Sequence, residues 1–290
     1  MISACHLCPR ECGVPRGEEG AGVCRSGETA RIARAALHFW EEPPISGQRG
    51  SGAVFFTGCT LGCIYCQNGQ ISHGPVRGRK VTPEELSRIF FDLVAQGAHN
   101  INLVTPTHFV PQIRQALLLK KLPVPVVYNT SGYERVETLK TLEGLVDIYL
   151  PDYKYDDPVL ARQLSRAEDY PGRARAAIAE MVRQVGAPVY GEDGMMERGV
   201  LIRHLILPGH TKNSIACLER IQQEFPGIPV SLMAQYTPCG ELDAFPELNR
   251  PITRREQDKV EDALFTLGLE GFTQSRKAKG EGYIPQWDLD

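Results

Sequence analysis

The chain has 290 residues, 42% hydrophobic and 23% charged, with a formal net charge of -3 and a pI near 6.2. That length builds one large domain or two moderate ones, and the slight acidic balance argues against a nucleic-acid binder, which carries a basic excess. No apolar run approaches the ~18 residues of a membrane span, and the opening Met1-Ile2-Ser3-Ala4-Cys5-His6 lacks the basic-then-apolar order of a secretory signal, so a cytoplasmic protein that contacts neither nucleic acid nor membrane is expected.

Cysteine is the outlier: nine residues, seven of them in the first 66. The odd count and tight clustering argue against a disulfide framework and for metal. Residues 1–48 form the first of two expected domains, a cysteine-rich metal-binding module with little hydrophobic periodicity. Its Cys5, Cys8, Cys12 and Cys24 make a closed four-thiolate set by count, suited to structural zinc or to a second iron–sulfur cluster acting as an electron relay. Gly13, Gly17, Gly20 and Gly22 let the chain wrap a metal, whose binding would supply folding energy to a segment with little core. Arg10, Arg16 and Arg25 either offset thiolate charge or form a solvated surface.

Residues 49–290 form the second domain. Ala53–Thr57 reads as a short apolar strand. Thr82, Pro83 and Glu85 form a capping box that starts a helix ending at Gly97. Strand Asn100–Val104, helix Pro111–Lys120, strand Val124–Tyr128, helix Glu134–Leu142 and strand Val146–Leu150 follow. A helical stretch over 171–186, strand Val200–Leu207, helix Asn213–Phe225, strand Pro229–Ala234 and helix Thr253–Leu267 complete the pattern, with an exposed turn at 191–194. Continuous apolar strands alternating with helices indicate a parallel sheet covered by helices. About six such units predict a partial (β/α)6 barrel of TIM type, with its active site at the carboxyl ends of the strands.

The sharpest signal follows the first of these strands. Cys59, Cys63 and Cys66 lie within eight residues, in a loop loosened by Gly58 and Gly62. Four thiolates close a zinc site or fill a cubane cluster; three leave one iron open for chemistry. This C-x3-C-x2-C spacing, with the aromatic Tyr65 before its third cysteine, resembles the radical S-adenosylmethionine superfamily. The segments Cys5–Cys24, Val54–Ser72, Asn102–His108, Tyr128–Tyr133, Val146–Tyr155, Ile202–Gly209 and Leu232–Pro238 extend the resemblance across nearly the whole chain. They are similar to the pyruvate formate-lyase activating enzyme-like subfamily, here with an N-terminal four-cysteine module.

The resemblance implies anaerobic chemistry: a 4Fe-4S cluster on Cys59, Cys63 and Cys66, with S-adenosylmethionine on its open iron. One-electron reduction by a flavodoxin or ferredoxin then gives methionine and a 5′-deoxyadenosyl radical, which takes a hydrogen atom from the substrate. It places Tyr65 near the adenine. Thr105 and Thr107 stand where activating enzymes have Gly-Gly-Glu for the cofactor's amino group. Asn129 and Thr130 replace an Asp-Thr pair, Asp152 and Lys154 match an Asp-x-Lys, and Arg203 matches an arginine that pairs with the cofactor carboxylate. Gln235 and Tyr236 end the sixth strand without the expected histidine.

Other readings of these residues stay open. Asn129-Thr130-Ser131-Gly132 also suits a turn and helix cap, Asp152 and Lys154 a surface ion pair, and Arg203 a buried structural pair. His108 is either loop surface or a ligand or acid, while His99 and His204 read as core or edge histidines. Cys217 reads as buried and inert, and Cys239 as lying near the mouth. The leading functional expectation is an oxidoreductase that abstracts hydrogen from a protein partner, as an activator of a glycyl radical enzyme does. Radical modification of a peptide, lipid or small molecule is the second reading, and a non-catalytic iron–sulfur redox sensor the third.

Overall fold

The computed structural model describes residues 2–17 and 21–273. Strand β1 (Ala30–His38) and the one-turn helix α1 (Pro43–Ser46) precede β2 (Ser51–Phe56). The chain continues through α2 (Gly69–Ser72), β3 (Arg79–Val81), α3 (Pro83–Ala95), β4 (Ile101–Val104), α4 (Val110–Leu119), β5 (Val126–Thr130), α5 (Val136–Lys140) and β6 (Ile148–Pro151). Then come α6 (Pro158–Ser165), α7 (Tyr170–Val185), β7 (Val189–Tyr190), β8 (Met196–Val200), β9 (Ile202–Leu205), α8 (Thr211–Glu224), β10 (Val230–Met233), α9 (Arg254–Thr266) and β11 (Gly271–Thr273).

In sheet order, β2, β4, β5, β6 and β8 pair in parallel. A second parallel set holds β9, β10 and β11. Leu201 alone separates β8 from β9, and a parallel bridge between Asp152 and Arg203 joins β9 to the end of β6. The two sets therefore make one curved wall whose far edges do not pair among the described residues. This is the expected partial TIM-type barrel.

Strands covered on both faces explain the near-continuous apolar runs. Every residue of β2 and β4 is buried. Val54 and Phe56 share the outer core with Leu86, Phe90 and Leu93 of α3, whereas Ala53 and Phe55 pack with Ile71 and Val104 in a separate inner cluster. The capping box at Thr82 and Glu85 forms as expected, and Thr253 with Glu256 builds a second one at α9. The turn at 191–194 connects β7 to β8, with Gly194 at φ +76°. Among the described residues no helix is long and apolar enough to cross a membrane.

The strands at Val126–Thr130 and Ile148–Pro151 begin and end later than the apolar runs place them. Polar Asn129 and Thr130 belong to the sheet because each has a partner there, Asn129 with Arg203 and Glu41 inside the barrel and the Thr130 hydroxyl with Glu134 on the other face, so hydropathy ends the strand too early. A larger difference concerns residues 30–38, which composition groups with the cysteine-rich segment. They form β1, which pairs antiparallel with β2 from Arg34–Phe55 to His38–Ser51. Its register slips between Ile32 and Arg34, and such a bulge breaks the period-two pattern that reveals a strand.

β1 also fixes the floor of the barrel. It runs against β2, so the chain after His38 emerges at the amino end of the barrel strands. Ile45 of α1 packs there with Val127, Ile148, Leu150 and Leu201. The Asn100 amide donates to the Ile45 carbonyl at 2.7 Å.

The N-terminal segment docks on the loop that follows β2. A Cβ on Gly58 would stand 2.4 Å from the Cys24 carbonyl oxygen. Arg10 donates to the carbonyls of Thr60 (2.9 Å), Leu61 (3.0 Å) and Ser165 (2.9 Å). Arg16 is 1% exposed and donates to the His108 carbonyl at 2.5 Å. The reading of these two arginines as solvated surface is therefore corrected: they fasten the cysteine-rich segment to the barrel. Gly20 lies outside the described residues.

Candidate active site

Residues 57–68 leave β2 as a loop rather than a helix face. Gly58 and Gly62 take φ values of +85° and +70°, which glycine adopts without a Cβ penalty. The turns bring Cys59, Cys63 and Cys66 onto one cavity of about 650 Å³, within the roughly 300–1,000 Å³ usual for small-molecule sites. Each sulfur accepts a hydrogen bond: Cys59 from the Leu61 backbone at 3.4 Å, Cys63 from the Ser165 hydroxyl at 3.0 Å, and Cys66 from the Ser72 hydroxyl at 3.5 Å.

Burial pushes the Cys59 thiol up to about 12 and Cys66 to about 11, and the neighbouring cysteines push the same way. The Cys59 and Cys66 thiols therefore stay protonated at neutral pH unless a cation replaces their protons. Donors aimed at all three sulfurs favour the anionic form that a metal ligand takes. Among the described residues no three His, Cys, Asp or Glu side chains stand as a single-ion site. The loop's donor chemistry fits a multi-iron cluster, which fills more space between its ligands than one ion does.

The ends of the barrel strands supply the rest of the wall. Thr105, Asn129, Thr130, Asp152, Lys154 and Arg203 all line the cavity, as does Tyr65. Arg203 donates from Nε to Asp152 at 3.0 Å, from Nη2 to Asn129 Oδ1 at 2.6 Å and from Nη1 to Glu41 at 3.3 Å. Lys154 meets the other Asp152 oxygen at 2.6 Å. Burial opposes the charge on Asp152, but Arg203 and Lys154 outweigh it and hold the carboxyl below its ordinary value. Asp152 and Lys154 are thus a buried pair at the cavity, not a surface one.

Thr105 has φ +59°, a strained conformation for a β-branched residue. Its backbone takes a shape that glycine adopts freely. Thr107 is turned away from the cavity. Its hydroxyl donates to Glu134 at 2.5 Å, and the Thr130 hydroxyl donates to the same oxygen. Burial pushes Glu134 up to about 7 against the pull of these hydroxyls.

His108 is buried rather than on the loop surface. Its Nε2 donates to the Thr57 carbonyl at 2.8 Å, and burial drives it down to about 4. His204 is fully buried, and Cys217 is too. The Cys239 thiol donates to the Tyr65 carbonyl at 3.2 Å, beside the cavity wall formed by Gln235 and Tyr236.

Sequence reasoning missed several residues of this wall. Ser72 and Ser165 carry no motif; only the fold brings them to the sulfurs. Glu41 and Glu42 follow a strand hidden by its bulge. Asn102 reads as one polar interruption in an apolar strand, yet its amide reaches Glu41 at 3.1 Å.

The N-terminal cysteines form a separate group. Cys5, Cys8 and Cys24 are buried and Cys12 is half-buried, and none of the four lines the main cavity. Backbone bonds from Cys5 to Val14 (2.9 Å) and from Gly13 to Cys5 (3.0 Å) close a small knuckle. Burial raises Cys8 to about 12, with Cys24, Glu134 and Cys5 adding to the rise. Arg16 approaches the Cys24 sulfur at 3.7 Å.

Residues 53–220 match the Radical SAM superfamily. An uncharacterized protein of Methanocaldococcus jannaschii is 29% identical over 272 residues, which cover 90% of this chain and 74% of that protein. A second uncharacterized protein of the same organism is 26% identical over 154 residues, 48% of this chain and 46% of its own. The crystal structure of Streptococcus suis SuiB bound to the precursor peptide SuiA aligns with a TM-score of 0.53 at 15% identity, over 76% of this chain and 47% of that one. That likeness is one of fold, and the chain spans about half the length of SuiB.

Proposed function

The chain belongs to the radical S-adenosylmethionine superfamily, and from that premise we propose that Cys59, Cys63 and Cys66 hold the 4Fe-4S cluster the family implies. One observation carries this reading: three sulfurs on one cavity, each met by a hydrogen-bond donor. When bound, the cluster supplies the electron that cleaves S-adenosylmethionine to methionine and a 5′-deoxyadenosyl radical.

The chain's own residues bind, orient and exclude water. Arg203, Asp152 and Lys154 offer a fixed array of opposite charges to the cofactor's ammonium and carboxylate. Asn129, Thr130, Thr105 and the Tyr65 backbone add polar contacts along the same wall. Thr107 acts at one remove by fixing Glu134, which in turn fixes the Thr130 hydroxyl. Phe55, Ile71 and Val104 keep the chamber apolar near the cysteines and hold solvent away from them.

The radical takes a hydrogen atom from a protein or peptide substrate. The finer form of this reading is activation of a glycyl radical enzyme, with a flavodoxin or ferredoxin as electron donor; its support is the resemblance of the motif segments. Cys5, Cys8, Cys12 and Cys24 form a second metal site, zinc or iron–sulfur, within a module over 1–48 that is fastened to the barrel over 49–290.

The test is anaerobic purification, cluster reconstitution, reduction and addition of S-adenosylmethionine. The expected product is 5′-deoxyadenosine, lost in Cys63→Ala. Unchanged product from that variant sinks the assignment. Metal analysis of the Cys59, Cys63 and Cys66 triple alanine variant reads the second site alone: about one zinc supports the structural form, and residual iron with sulfide supports the relay.

A further inference from the structure

The far end of the same cavity carries chemistry that the radical-forming step does not use. The segment after β1 crosses the barrel floor, and Phe39, Trp40, Glu41 and Glu42 all line the cavity there. The cysteines follow the carboxyl end of β2, whereas this segment leaves beside its amino end, because His38 pairs with Ser51. The cavity therefore has a cysteine end and an acidic end.

Glu41 is committed. Its carboxylate meets Arg203 at 3.3 Å, Asn102 at 3.1 Å and Asn129 at 3.2 Å. Glu42 is not committed: it is 4% exposed, and its Oε2 has no hydrogen-bond partner. Burial pushes the Glu42 carboxyl above its ordinary value, against the pull of the Arg203 charge and of the nearby Ser231 hydroxyl, which does not reach hydrogen-bond geometry. A buried acceptor left unpaired costs about 1–3 kcal/mol, a cost that a ligand donor removes.

Charge decides which donor fits. Among the described residues three carboxylates (Glu41, Glu42, Asp152) face the cavity against two cations (Lys154, Arg203). Arg203 already spends its fork on Asp152, Asn129 and Glu41, and Lys154 is held by Asp152. Among the described residues no lining cation donates a hydrogen bond to Glu42, which feels Arg203 only through its charge. Phe39 and Trp40 stand beside it with about half their surface exposed, and aromatic faces attract cations.

We propose that the barrel floor around Glu42 binds an alkylammonium or guanidinium group of the substrate. Glu42 takes the positive charge, and the Phe39 and Trp40 rings flank the stem. The substrate is then held by its cationic end, and the rest of it reaches toward the cysteine end. The inference rests on the cavity being the substrate chamber of the reaction proposed above.

Calorimetric titration of the reconstituted full-length protein with S-adenosylmethionine present tests it. The probes are N-acetyl-arginine methylamide, the neutral isostere N-acetyl-citrulline methylamide, and agmatine. Expected are at least tenfold tighter binding of arginine than citrulline, and about tenfold loss of arginine affinity in Glu42→Gln with the citrulline affinity kept. Tighter binding of the arginine amide than agmatine supports a peptide source for the cation, and the reverse supports a free amine. Equal binding of arginine and citrulline by the wild type, or no binding of any cation, overturns the proposal without need of a variant. A protein that cleaves S-adenosylmethionine but ignores the charge sinks this inference alone. One that prefers arginine yet never releases 5′-deoxyadenosine sinks the reading of the reaction alone.

Discussion

The chain carries two groups of cysteines pressed against each other and built on opposite plans. In the loop after β2, Cys59, Cys63 and Cys66 turn toward a cavity and receive hydrogen bonds from Leu61, Ser165 and Ser72. In the N-terminal segment, Cys5, Cys8, Cys12 and Cys24 turn away from that cavity, three of them buried. Under the proposed reading the three-cysteine set serves chemistry and the four-cysteine set serves structure or electron passage. The two meet most tightly where Gly58 admits the Cys24 carbonyl.

That contact gives the largest effect by which to break the comparison. Gly58→Ala combines a side chain at φ +85° with a Cβ 2.4 Å from the Cys24 oxygen. Strain and overpacking together cost about 2–5 kcal/mol. Thermal unfolding is expected to shift down accordingly, and iron loading at Cys59, Cys63 and Cys66 to fall with it. An unchanged midpoint would show that the two groups do not press on each other.

A second effect sits on the same seam. His108 lies under Arg16, which holds its carbonyl, and its ring bonds Thr57 just before Gly58. Its folded pKa, about 4, is depressed below the ordinary 6.5 mainly by burial. Stability from keeping it neutral is full above pH 6.5 and is lost as pH falls toward 4, by roughly 1.4 kcal/mol per pH unit. Fully buried His204, also depressed to about 4, adds a similar slope. His108→Gln is expected to reduce the slope of stability against pH between 6.5 and 4 by up to about 1.4 kcal/mol per pH unit, one proton's worth, read by urea unfolding at several pH values. An unaltered slope would place the acid sensitivity elsewhere.

Much of this was legible from residue order. The barrel follows from apolar strands alternating with capped helices, because strands covered on both faces show as apolar runs. The three-cysteine loop is local, so its spacing survives in the sequence. The acidic floor does not survive that way. Arg31 and Arg34 interrupt β1 around a bulge, so residues 30–38 look like part of the cysteine-rich segment and Glu41 and Glu42 look like a surface pair. Thr107 fails for another reason: its hydroxyl serves Glu134, 27 residues on, and no pattern along the chain records a contact made across two strand ends.

The smallest expected effect separates the two cysteine groups most finely. Ser165 closes α6, donates to Cys63 at 3.0 Å and shares a hydrogen bond with Tyr155 at 2.8 Å. Tyr155 in turn bonds Tyr65, in the same loop as the cysteines. A donor to a cluster ligand stabilises the more negative, reduced state. Ser165→Ala is therefore expected to lower the potential of the cluster on the loop by about 20–60 mV, the one-electron equivalent of one hydrogen bond. Metal content at the N-terminal group should be unaffected, since Ser165 touches none of those sulfurs. The potential is read by a redox titration followed by electron paramagnetic resonance. A shift confined to that cluster ties Cys63 to the reacting site; no shift would mean that the Ser165 hydroxyl serves Tyr155 alone.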